Sequence, residues 1–550
     1  MSETIILDGH GQPMPPEVRL AARKRYAMNA AYQAAGSDHS SMASWRPGTF
    51  SGQAALTLSR DVVIDRVNDA VRNNGWASAG VSRLVDTVIG SGWRLSSQPN
   101  ARTLNLTADE ADEIGDQIEG LWSDVATDPG NWFDAERTKS VSGLLGLAAR
   151  HRFCDGEAFA VLPFRMGASG YGTCVHVIDP ARISNPNGAM DSEFLRDGVE
   201  LDAYGAPIAF HVRRSHPGDI TRPMHDMFIW DRVERETDWG RPIAVHAFEA
   251  NRAGMTRGVS PWASVLQQLK QVSDFNDYEL QAASLNAVMA AFIKTPLDMD
   301  QLADSFSASD SSKSINAFYD AQAAAQGAAY KADPIRLKGA QLNFLNPGED
   351  VVFTKSEHPN AAFEVFVNAA LRNIASAVGL TYEQLTMDWS KVNYSSARAA
   401  ILEIWRGLTA RKTSFSHSFM QPIYMAWLEE VFDQGRIRLP AHAVSFEANP
   451  IGWARAAWIG AGRGWVDPEK EARAAAIRLA TGLSTQESES AEQGRDWKED
   501  MLQRAREQRF AAKHGVVSGE AASSGVVSRF GAETPKDDSE ERSENKDKAS

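Results

Sequence analysis

The clearest helical pattern lies in the middle of the chain, between residues 261 and 295. Its apolar stripe recurs every three or four positions and consists of Trp262, Leu266, Leu269, Val272 and Phe275. Ser260 suits the N-cap of a helix, and Pro261 suits its first position. The pattern predicts one amphipathic helix that ends near Thr295 and is about 50 Å long at about 1.5 Å per residue.

Two more long helices are predicted towards the C-terminus. The segment NAAFEVFVNAALRNIASAVGL has helical spacing and should stop at Gly379. A further helix starts near Ser395, should kink at Pro422 because proline has no amide donor, and should end at Gly435. Between the first two helices lies a polar segment rich in small residues, which ends in two strand-like pieces, QLNFL and VVFTK.

The first half of the chain mixes helices with strands. Residues 59–98 predict a helix, a break at the Asn-Asn-Gly sequence of residues 73–75, a second helix and a strand. Residues 106–165 predict helices and then a strand pair, with the Asp-Gly-Glu sequence of residues 155–157 as the turn between its strands. The stretch 151–250 is predicted to be mainly strands and turns. The pattern indicates an α+β protein.

The two ends of the chain differ from its body. Residues 452–510 predict short helices, one of which starts near Pro468 and stops at Gly482. Residues 511–550 are charged and lack apolar spacing, which predicts a disordered tail. Residues 1–60 are expected to be partly ordered. Their basic sequence RLAARKRY forms either a solvated helix face or a contact for an acidic partner.

The overall composition limits the class of protein. A chain of 550 residues is expected to hold two to four substructures of about 100–200 residues each. Its 15 tryptophans suit large packed surfaces or subunit contacts. Cys154 and Cys174 have no CxxC spacing, which argues against a disulfide framework or a cysteine-rich zinc site and indicates a reducing cytoplasm. We expect a soluble, cytosolic protein, because no signal-peptide pattern and no apolar span of roughly 20 residues is present.

The net charge bears on nucleic-acid binding. The formal charge of −14 is unlike that of sequence-specific DNA-binding domains, which tend to be basic. It does not exclude contact with DNA that must move, because neutralisation of phosphates is what makes binding tight. Charge alone therefore does not decide whether the protein contacts DNA.

Signatures of catalysis are missing from the sequence. It contains no GxxxxGK[ST] phosphate loop, no HExxH zinc motif and no GxSxG elbow. His246 and Glu249 share one short stretch, but a structural histidine explains it better than a metal site. Asp155 and Glu157 are close enough for an acid pair, although a turn between strands explains them better. We therefore predict no enzyme activity, no cofactor and no metal site.

One loop combines side chains that the apolar pattern does not explain. It lies directly before the helix that starts near Ser395 and has the sequence DWSKVNY. The candidate functional residues in it are Asp388, Trp389, Ser390, Lys391, Val392, Asn393 and Tyr394. Together with the long amphipathic helices around the polar segment, its mixture of aromatic, basic and amide groups suggests a protein that works by shape and assembly.

Several stretches carry a resemblance to a known family. In chain order they are VRNNGWASAGVSRLVDTVIGSGWRL, VIDPARISNP, GVELDAYGAPIAFHVRR, RAGMTRGVSPWASVLQQLKQVSDFNDYELQAA, LNPGEDVVF, VGLTYEQLTMDWSKVNYSSARAAILE and WVDPEKEARAAAIRLATGLST. Together they resemble the portal proteins of tailed bacteriophages, specifically the lambda-like portal family. The resemblance spans roughly residues 15–510.

The resemblance implies a portal-protein fold of the α+β class, assembled as a ring. On the family plan the chain has an N-terminal arm over 1–60, a wing over 61–258, a first stem helix over 259–295, a clip over 296–350, a strand and second stem helix over 351–379, a tunnel loop over 380–396, a long kinked helix over 397–435, a helical crown over 436–510 and a disordered tail over 511–550. The wing is the β-rich part.

The resemblance also implies a function. The ring, expected to be a dodecamer, would be the channel at one capsid vertex for DNA packaging by terminase, head–tail joining and DNA ejection. The implied partners are the large terminase subunit, the major capsid and scaffolding proteins, head-completion or tail-connector proteins, and double-stranded DNA that passes without sequence specificity. The expected location is the portal vertex of the virion, and the host cytoplasm during assembly.

Two other interpretations remain open. The chain could be a portal-derived fusion or a capsid-processing enzyme, but such a fusion should add a catalytic domain after residue 510, where the sequence is short and polar. It could also be a helical adaptor that never forms a ring. Ring formation by the isolated protein separates the adaptor from the portal.

The resemblance gives the DWSKVNY loop a role in a DNA channel. Lys391 can meet a phosphate, and Asn393 and the two serines after Tyr394 can offer short hydrogen bonds. Trp389 and Tyr394 either contact the duplex or a neighbouring loop, or are buried anchors. For the two serines we favour capping of the following helix over contact with DNA.

Overall fold

The computed structural model describes residues 44–167, 170–287, 363–390, 394–460 and 467–515. It also describes the short segments Ala291–Ile293 and Leu342–Phe344 and a few isolated positions. Most of the predicted N-terminal arm, most of the predicted clip and nearly all of the predicted tail lie outside the described residues. The same holds for the strand-like segment VVFTK.

The described secondary structure contains both helices and strands throughout the chain. The helices are α1 (Gly52–Thr57), α2 (Arg60–Asn73), α3 (Gly75–Val88), α4 (Ala108–Ala126), α5 (Val141–Cys154), α6 (Leu266–Ala287), α7 (Phe363–Val378), α8 (Tyr382–Thr386), α9 (Tyr394–Phe415), α10 (Gln421–Asp433), α11 (Pro450–Trp453), α12 (Pro468–Ala480), α13 (Gln486–Glu492) and α14 (Trp497–His514). The strands are β1 (Arg94–Ser97), β2 (Glu157–Val161), β3 (His176–Ile178), β4 (Leu195–Arg196), β5 (Val199–Leu201), β6 (Pro207–Arg213), β7 (Trp230–Glu234), β8 (Ala244–Phe248), β9 (Ala291–Ile293), β10 (Leu342–Phe344) and β11 (Ala456–Ile459). The α+β class predicted from the sequence is confirmed.

The chain divides into two compact units. The smaller unit joins Met1–Ser59 to Asn251–Met255, and its described part contains α1, which Ser51 caps by accepting a hydrogen bond from the Ala54 amide. Within this unit the Arg252 guanidinium donates to the Phe50 carbonyl at 2.9 Å. The larger unit contains the remaining elements.

The strands of the larger unit form small sheets. A three-stranded antiparallel sheet has the order β3-β2-β8, and a four-stranded antiparallel meander has the order β4-β5-β6-β7. Two further pairs are antiparallel β1 with β11 and parallel β9 with β10. The predicted strand-rich stretch is therefore confirmed from residue 157 to residue 248.

Aromatic packing organises the main core. The Trp122 ring on α4 meets Phe133, Tyr424, Trp427 and Trp458 edge-on, with ring centroids 5.0–5.9 Å apart. Edge-to-face pairs add to the stabilisation that burial of the rings already gives. These tryptophans therefore fill the core. Core packing is one of the two uses predicted from the number of tryptophans, and subunit contact is the other.

Local signals in the sequence place several helix ends correctly. Asn74 separates α2 from α3 and accepts hydrogen bonds from the Trp76 and Ala77 amides at 3.0 and 3.1 Å. Gly379 follows α7 with a φ of 81°, a conformation that glycine adopts without steric cost. Pro468 begins α12, and Gly482 follows it closely.

The predicted helix over 261–295 is wrong at both ends. Helix α6 covers Leu266–Ala287, while the residues between Ser260 and Leu266 form turns in which Trp262 and Val265 are buried. Near the other end, Ala291–Ile293 pairs in parallel with Leu342–Phe344. A short apolar run is compatible with either a helix or a strand, and here pairing with a distant segment decides.

The Asp-Gly-Glu sequence at 155–157 is a helix-to-strand junction, so the prediction of a turn between two strands is wrong. Helix α5 runs to Cys154, and the Asp155 amide still bonds to the His151 carbonyl at 2.7 Å. Gly156 has a φ of 93°, and Glu157 begins β2. The Ser140 cap at the start of α5 is the sequence signal that favours a helix here.

The predicted long helix is present as two α-helices in series, and the kink predicted at Pro422 stays a prediction. Helices α9 and α10 are joined by a π-helical turn over Ser416–Met420, directly before this proline. A proline ring collides with the carbonyl four residues earlier, and a π-helical turn is one way in which a helix absorbs that conflict. Gly435 follows the helix with a φ of 63°, as predicted.

Among the described residues, no helix combines the length and apolarity that crossing a bilayer requires.

Glu119 on α4 provides a pH test of the packing between α4 and β1. Its carboxylate accepts the Ser97 amide at 2.7 Å, and burial raises its pKa to about 7, against the smaller opposing effects of that hydrogen bond and of Lys498. The folded protein thus binds more protons than the unfolded chain between about pH 4.3 and 7, and stability falls as pH rises through this window.

We expect Glu119→Gln, which keeps the acceptor and removes the charge, to raise the free energy of unfolding at pH 8 by about 1–3 kcal/mol. At pH 4 it should change little. Urea unfolding of dilute protein, followed by tryptophan fluorescence, measures both values. Glu113→Gln, at an exposed position of the same helix, is the control. Equal stabilisation by Glu119→Gln at both pH values would contradict the prediction.

Candidate functional site

The predicted loop over 388–394 begins immediately after a short helix. Helix α8 ends at Thr386, and Met387 follows in the left-handed conformation with a φ of 59°. Asp388, Trp389 and Ser390 are described, whereas Lys391, Val392 and Asn393 lie outside the described residues. Tyr394 is the first residue of α9, and its side chain is also outside the description.

Asp388 shapes the described part of the loop. Its Oδ1 atom accepts hydrogen bonds from the Ser390 amide at 3.0 Å and from the Ser390 hydroxyl at 2.6 Å. The Asp388 amide in turn donates to the Thr386 hydroxyl at 3.3 Å. This Asx-type turn projects Trp389, which is 42% exposed. Within one protomer, Trp389 is therefore not a fully buried anchor, and its role in contact with a partner remains a prediction.

The helix before the loop is held firmly at its start. Thr381 and Gln384 form a reciprocal capping box on α8, and the Tyr382 hydroxyl donates to Asn368 on α7 at 2.8 Å. Leu385 is buried and packs beside Gly80 on α3, where an added Cβ atom would lie 3.1 Å from it. The loop therefore leaves a well-packed support.

The helix after the loop is tied to the same support. Arg411 on α9 donates to the Val378 carbonyl at the end of α7, at 2.7 Å. Gly379, with its φ of 81°, lies beside this bond, and a Cβ atom there would come within 2.6 Å of the Arg411 guanidinium. Helices α7, α8 and α9 thus form one frame around the loop.

Helix α10 connects this frame to the β-rich region. Glu430 is buried and accepts the Gly172 and Thr173 amides at 2.6 and 2.8 Å and the Thr173 hydroxyl at 2.6 Å. Arg241 donates to the Ala426 carbonyl at 2.8 Å and pairs with Glu429 at 3.1 Å. Neighbouring turns of one helix therefore hold two separate segments of the β-rich region.

A second conspicuous group of side chains surrounds Glu157, the first residue of β2. Its carboxylate is fully buried and accepts Arg257 Nε at 3.0 Å on both oxygens and Arg60 Nη2 at 2.7 Å. The Gly258 amide and His246 Nε2 donate to its other side at 3.0 and 2.9 Å. We call these five residues the Glu157 cluster.

The two arginines of the cluster also bind backbone carbonyls. Arg257 donates to Pro180 at 2.9 Å, to Ile183 at 3.0 Å and to Asp197 at 2.7 Å, and Arg60 donates to Pro180 at 3.3 Å. Arg60 also pairs with Asp61 at 3.1 Å, and its Nε, which makes no hydrogen bond, lies 3.6 Å from Asp197 Oδ2. Buried charges are tolerated when opposite charges and hydrogen bonds surround them. The cluster therefore joins α2, β2, β8, the segment before α6 and the loops around residues 180 and 197.

Electrostatics keep Glu157 ionised. Burial alone would raise its pKa, but the charges of Arg257 and Arg60 and the hydrogen bond from His246 hold the pKa well below its usual range. Burial lowers the pKa of His246, which favours a neutral ring that donates from Nε2. The stability that Glu157 contributes is thus present above its unfolded pKa of about 4.3 and is lost only as pH falls through its lower folded value.

The carboxylates of the Asp-Gly-Glu sequence do not act together. Asp155 contacts His151 at 2.6 Å and Asn68 at 3.0 Å, whereas Glu157 binds the arginines. The alternative of an acid pair has no support in this geometry. The interpretation of His246 as a structural histidine agrees with its burial and its bond to Glu157.

Known proteins match this chain over most of its length. A family model described as phage portal protein, lambda family, matches residues 38–412. The chain is 31% identical to portal protein B of Escherichia phage lambda over 467 residues, which cover 84% of this chain and 86% of that protein. It is 30% identical to the portal protein of Escherichia phage N15 over 466 residues, which cover 84% and 87% respectively.

Among solved structures, a chain from the neck of an empty gene transfer agent particle aligns at 13% identity with a TM-score of 0.37. The alignment covers 66% of this chain and 82% of that chain. A chain from the virion of a native particle of the same kind gives the same TM-score over 69% and 86%. Likeness at this level is too weak to support a structural argument.

We expect Glu157→Gln to lower the free energy of unfolding by about 3–5 kcal/mol, because it removes the fully buried counter-charge of two buried guanidinium groups and leaves them only Asp61 and Asp197, at 3.1–3.6 Å. The measurement is urea unfolding of dilute protein at pH 7. The control is Glu234→Gln on β7, whose partner Arg232 and own side chain are exposed, and which should change the value by less than about 0.5 kcal/mol. Similar small losses in both variants would show that the cluster contributes little.

Proposed function

The chain belongs to the lambda family of phage portal proteins, and we propose that its copies assemble into a ring that conducts double-stranded DNA through one vertex of the capsid. The observation that carries this proposal is the family match over residues 38–412, which includes the whole of the loop at 388–394. The proposed ring is a dodecamer. Its roles are DNA packaging, head–tail joining and DNA ejection.

The proposed stem consists of α6 and α7. The Phe275 ring on α6 stacks on Phe363 with centroids 5.3 Å apart and meets Phe366 edge-on at 5.4 Å. Asn373 on α7 also donates to Gln268 on α6. These contacts support a helix pair that brackets the proposed clip at 296–350, although α6 is shorter than the proposed stem segment at 259–295.

The loop at 388–394 is proposed to face the DNA channel. Its support by α7, α8 and α9 gives it a defined origin, and Trp389 is partly exposed. A loop that slides along DNA needs weak and replaceable contacts, and Lys391 and Asn393 are suited to brief contacts with phosphates. The surrounding tunnel-loop segment is proposed at 380–396, followed by the long helix at 397–435.

The proposed wing, residues 61–258, provides surface for assembly. Large apolar side chains are strongly exposed on it, at Met190, Tyr204, Ile220 and Met224, with exposed fractions between 74% and 97%. Exposed apolar groups of this kind are typical of interaction sites when they cluster. We propose that neighbouring subunits or the capsid cover part of this surface in the assembled particle.

Catalysis is proposed to reside in a partner. The motor is the large terminase subunit, which would dock at the clip, and the head-completion proteins would follow it there.

The crown is proposed at 436–510. The proposed location is the portal vertex of the virion, after assembly in the host cytoplasm with the major capsid and scaffolding proteins.

The first test is the assembly state. We expect the purified full-length protein to form closed rings of about twelve subunits with a central hole, because C-type symmetry closes a repeated head-to-tail contact. Native mass spectrometry gives the copy number, and negative-stain class averages show the hole. A protein that stays monomeric at high concentration, even with scaffolding protein added, would contradict the ring and favour a helical adaptor.

The second test concerns the loop. We expect Trp389→Ala and Lys391→Ala to leave ring formation intact and to reduce strongly the fraction of DNA-filled particles, because their side chains act on moving DNA and not on the fold. A packaging assay with matching capsids and terminase measures that fraction.

Matched controls for the loop variants are Trp45→Ala and Lys513→Ala, which remove an exposed tryptophan and an exposed lysine elsewhere. The controls should package DNA normally. Loss of rings in the loop variants would assign Trp389 and Lys391 to subunit contacts. Normal packaging by both loop variants would contradict a role of these side chains in the channel.

A further inference from the structure

A second histidine-containing cluster lies on the larger unit, apart from the proposed channel loop. It brings together His151 in the last turn of α5, Asp155 directly after that helix, Asp179 after β3, and His216 after β6. We propose that this cluster is a binding site for one divalent transition-metal ion, with Zn²⁺ as the best match. The proposal does not depend on ring formation.

The distances suit a site that closes around an ion. One ligand atom each from His151, Asp155 and Asp179 lies within 4.8 Å of the other two. His151 Nδ1 is 2.6 Å from Asp155 Oδ2, and His216 Nε2 is 3.9 Å from Asp179 Oδ2. Zinc binds histidine nitrogen and carboxylate oxygen at about 2.0–2.2 Å, which in a tetrahedral site puts ligand atoms about 3.3–3.6 Å apart. The hydrogen-bonded pair of His151 and Asp155 must therefore open by under about 1 Å as zinc replaces the shared proton, while Asp179 moves inward. His216, beside Asp179, is the candidate for a fourth ligand.

The carboxylates are already oriented by neighbouring groups. Asn68 Nδ2 donates to Asp155 Oδ1 at 3.0 Å, which leaves Oδ2 towards His151. The Ala181 amide donates to Asp179 Oδ1 at 2.9 Å, which leaves Oδ2 towards His216. The Ala181 bond is also the N-cap of the 3-10 turn at Pro180–Arg182, so it holds Asp179 in place without an ion. Such bonds to the second oxygen of a carboxylate fix the geometry of a ligand when a metal binds.

Burial and ligand chemistry favour zinc over magnesium or calcium. The side chain of Asp155 is 3% exposed and that of His151 is 20% exposed, while those of Asp179 and His216 are about 43–44% exposed. The site thus has a closed inner end and an open side through which an ion can enter. Two imidazoles and two carboxylates suit Zn²⁺, whereas Mg²⁺ and Ca²⁺ prefer oxygen ligands alone.

The position of the cluster gives the metal a structural consequence. The ligands come from α5 and from the segments after β3 and β6, which are far apart in the chain. Pro180, next to the ligand Asp179, supplies the carbonyl that both arginines of the Glu157 cluster bind. A bound ion would therefore link the loop after β6 to the segment that the Glu157 cluster already holds.

The test uses full-length protein treated with chelator and then dialysed against Zn²⁺ or Co²⁺. We expect one equivalent of metal per chain by elemental analysis, and a visible absorption spectrum of the Co²⁺ form typical of four-coordinate nitrogen and oxygen ligands. Zn²⁺ should also raise the melting temperature of the wild-type protein, because it binds the folded state preferentially. Dialysis against Ca²⁺ should give no stoichiometric binding.

Variants separate this site from adventitious binding. His151→Ala and His216→Ala should lose the bound equivalent and the rise in melting temperature, and Asn68→Ala, which alters only the orientation of Asp155, should weaken affinity by about 10–100-fold. His225→Ala is the control, because His225 pairs with Asp226 at 3.1 Å on an exposed surface without a third ligand. Retention of metal by both histidine variants, or stoichiometric binding of Ca²⁺ but not of Zn²⁺, would overturn the proposal.

Discussion

The buried pairing of Glu157 with Arg257 and Arg60 is the constraint on which both the β-rich region and the segment before α6 depend. A carboxylate without exposure to water is tolerated only where opposite charges and hydrogen-bond donors surround it, and here five donors converge on it. Because these donors come from α2, β8 and the segment before α6, none of those elements can shift without stranding a buried charge. The cluster thus selects one arrangement of the larger unit.

The backbone around the cluster follows from that pairing. The chain at Gly258 crosses the chain at Gly156 so closely that a Cβ atom on Gly258 would lie 2.2 Å from the Gly156 carbonyl oxygen. Only glycine permits this approach, and Gly156 also has a positive φ of 93°. The crossing brings the Gly258 amide onto Glu157 and directs the chain into the buried turn at Trp262, from which α6 departs. The ion pairs of Glu157 and the close contact between the two glycines therefore occur at the same place.

Local sequence signals predicted the parts of the fold that local interactions determine. The Asn74 break and the Gly379 stop follow from a cap and from a positive φ, and both are found in the structure. The proline predicted to kink the long helix follows a π-helical turn. The Glu157 cluster was missed, because its members are about 100 residues apart and nothing in a single sequence pairs them. Its one signal was a glutamate at the head of the apolar run EAFAVL. The DWSKVNY loop was singled out for its composition, and its role in a DNA channel came from the family resemblance and stays a prediction.

The long helix formed by α9 and α10 is anchored to other parts of the subunit at several points. Glu430 and Arg241 tie α10 to the β-rich region, and Arg411 ties the later part of α9 to the end of α7. The π-helical turn at 416–420 lies between these anchors, so it can absorb bending without moving either contact. The described part of the loop before α9 follows α8 and contains the Asx turn of Asp388. The anchors on both sides of the π-helical turn therefore fix the position of the helices α7, α8 and α9 from which the loop starts and to which it returns.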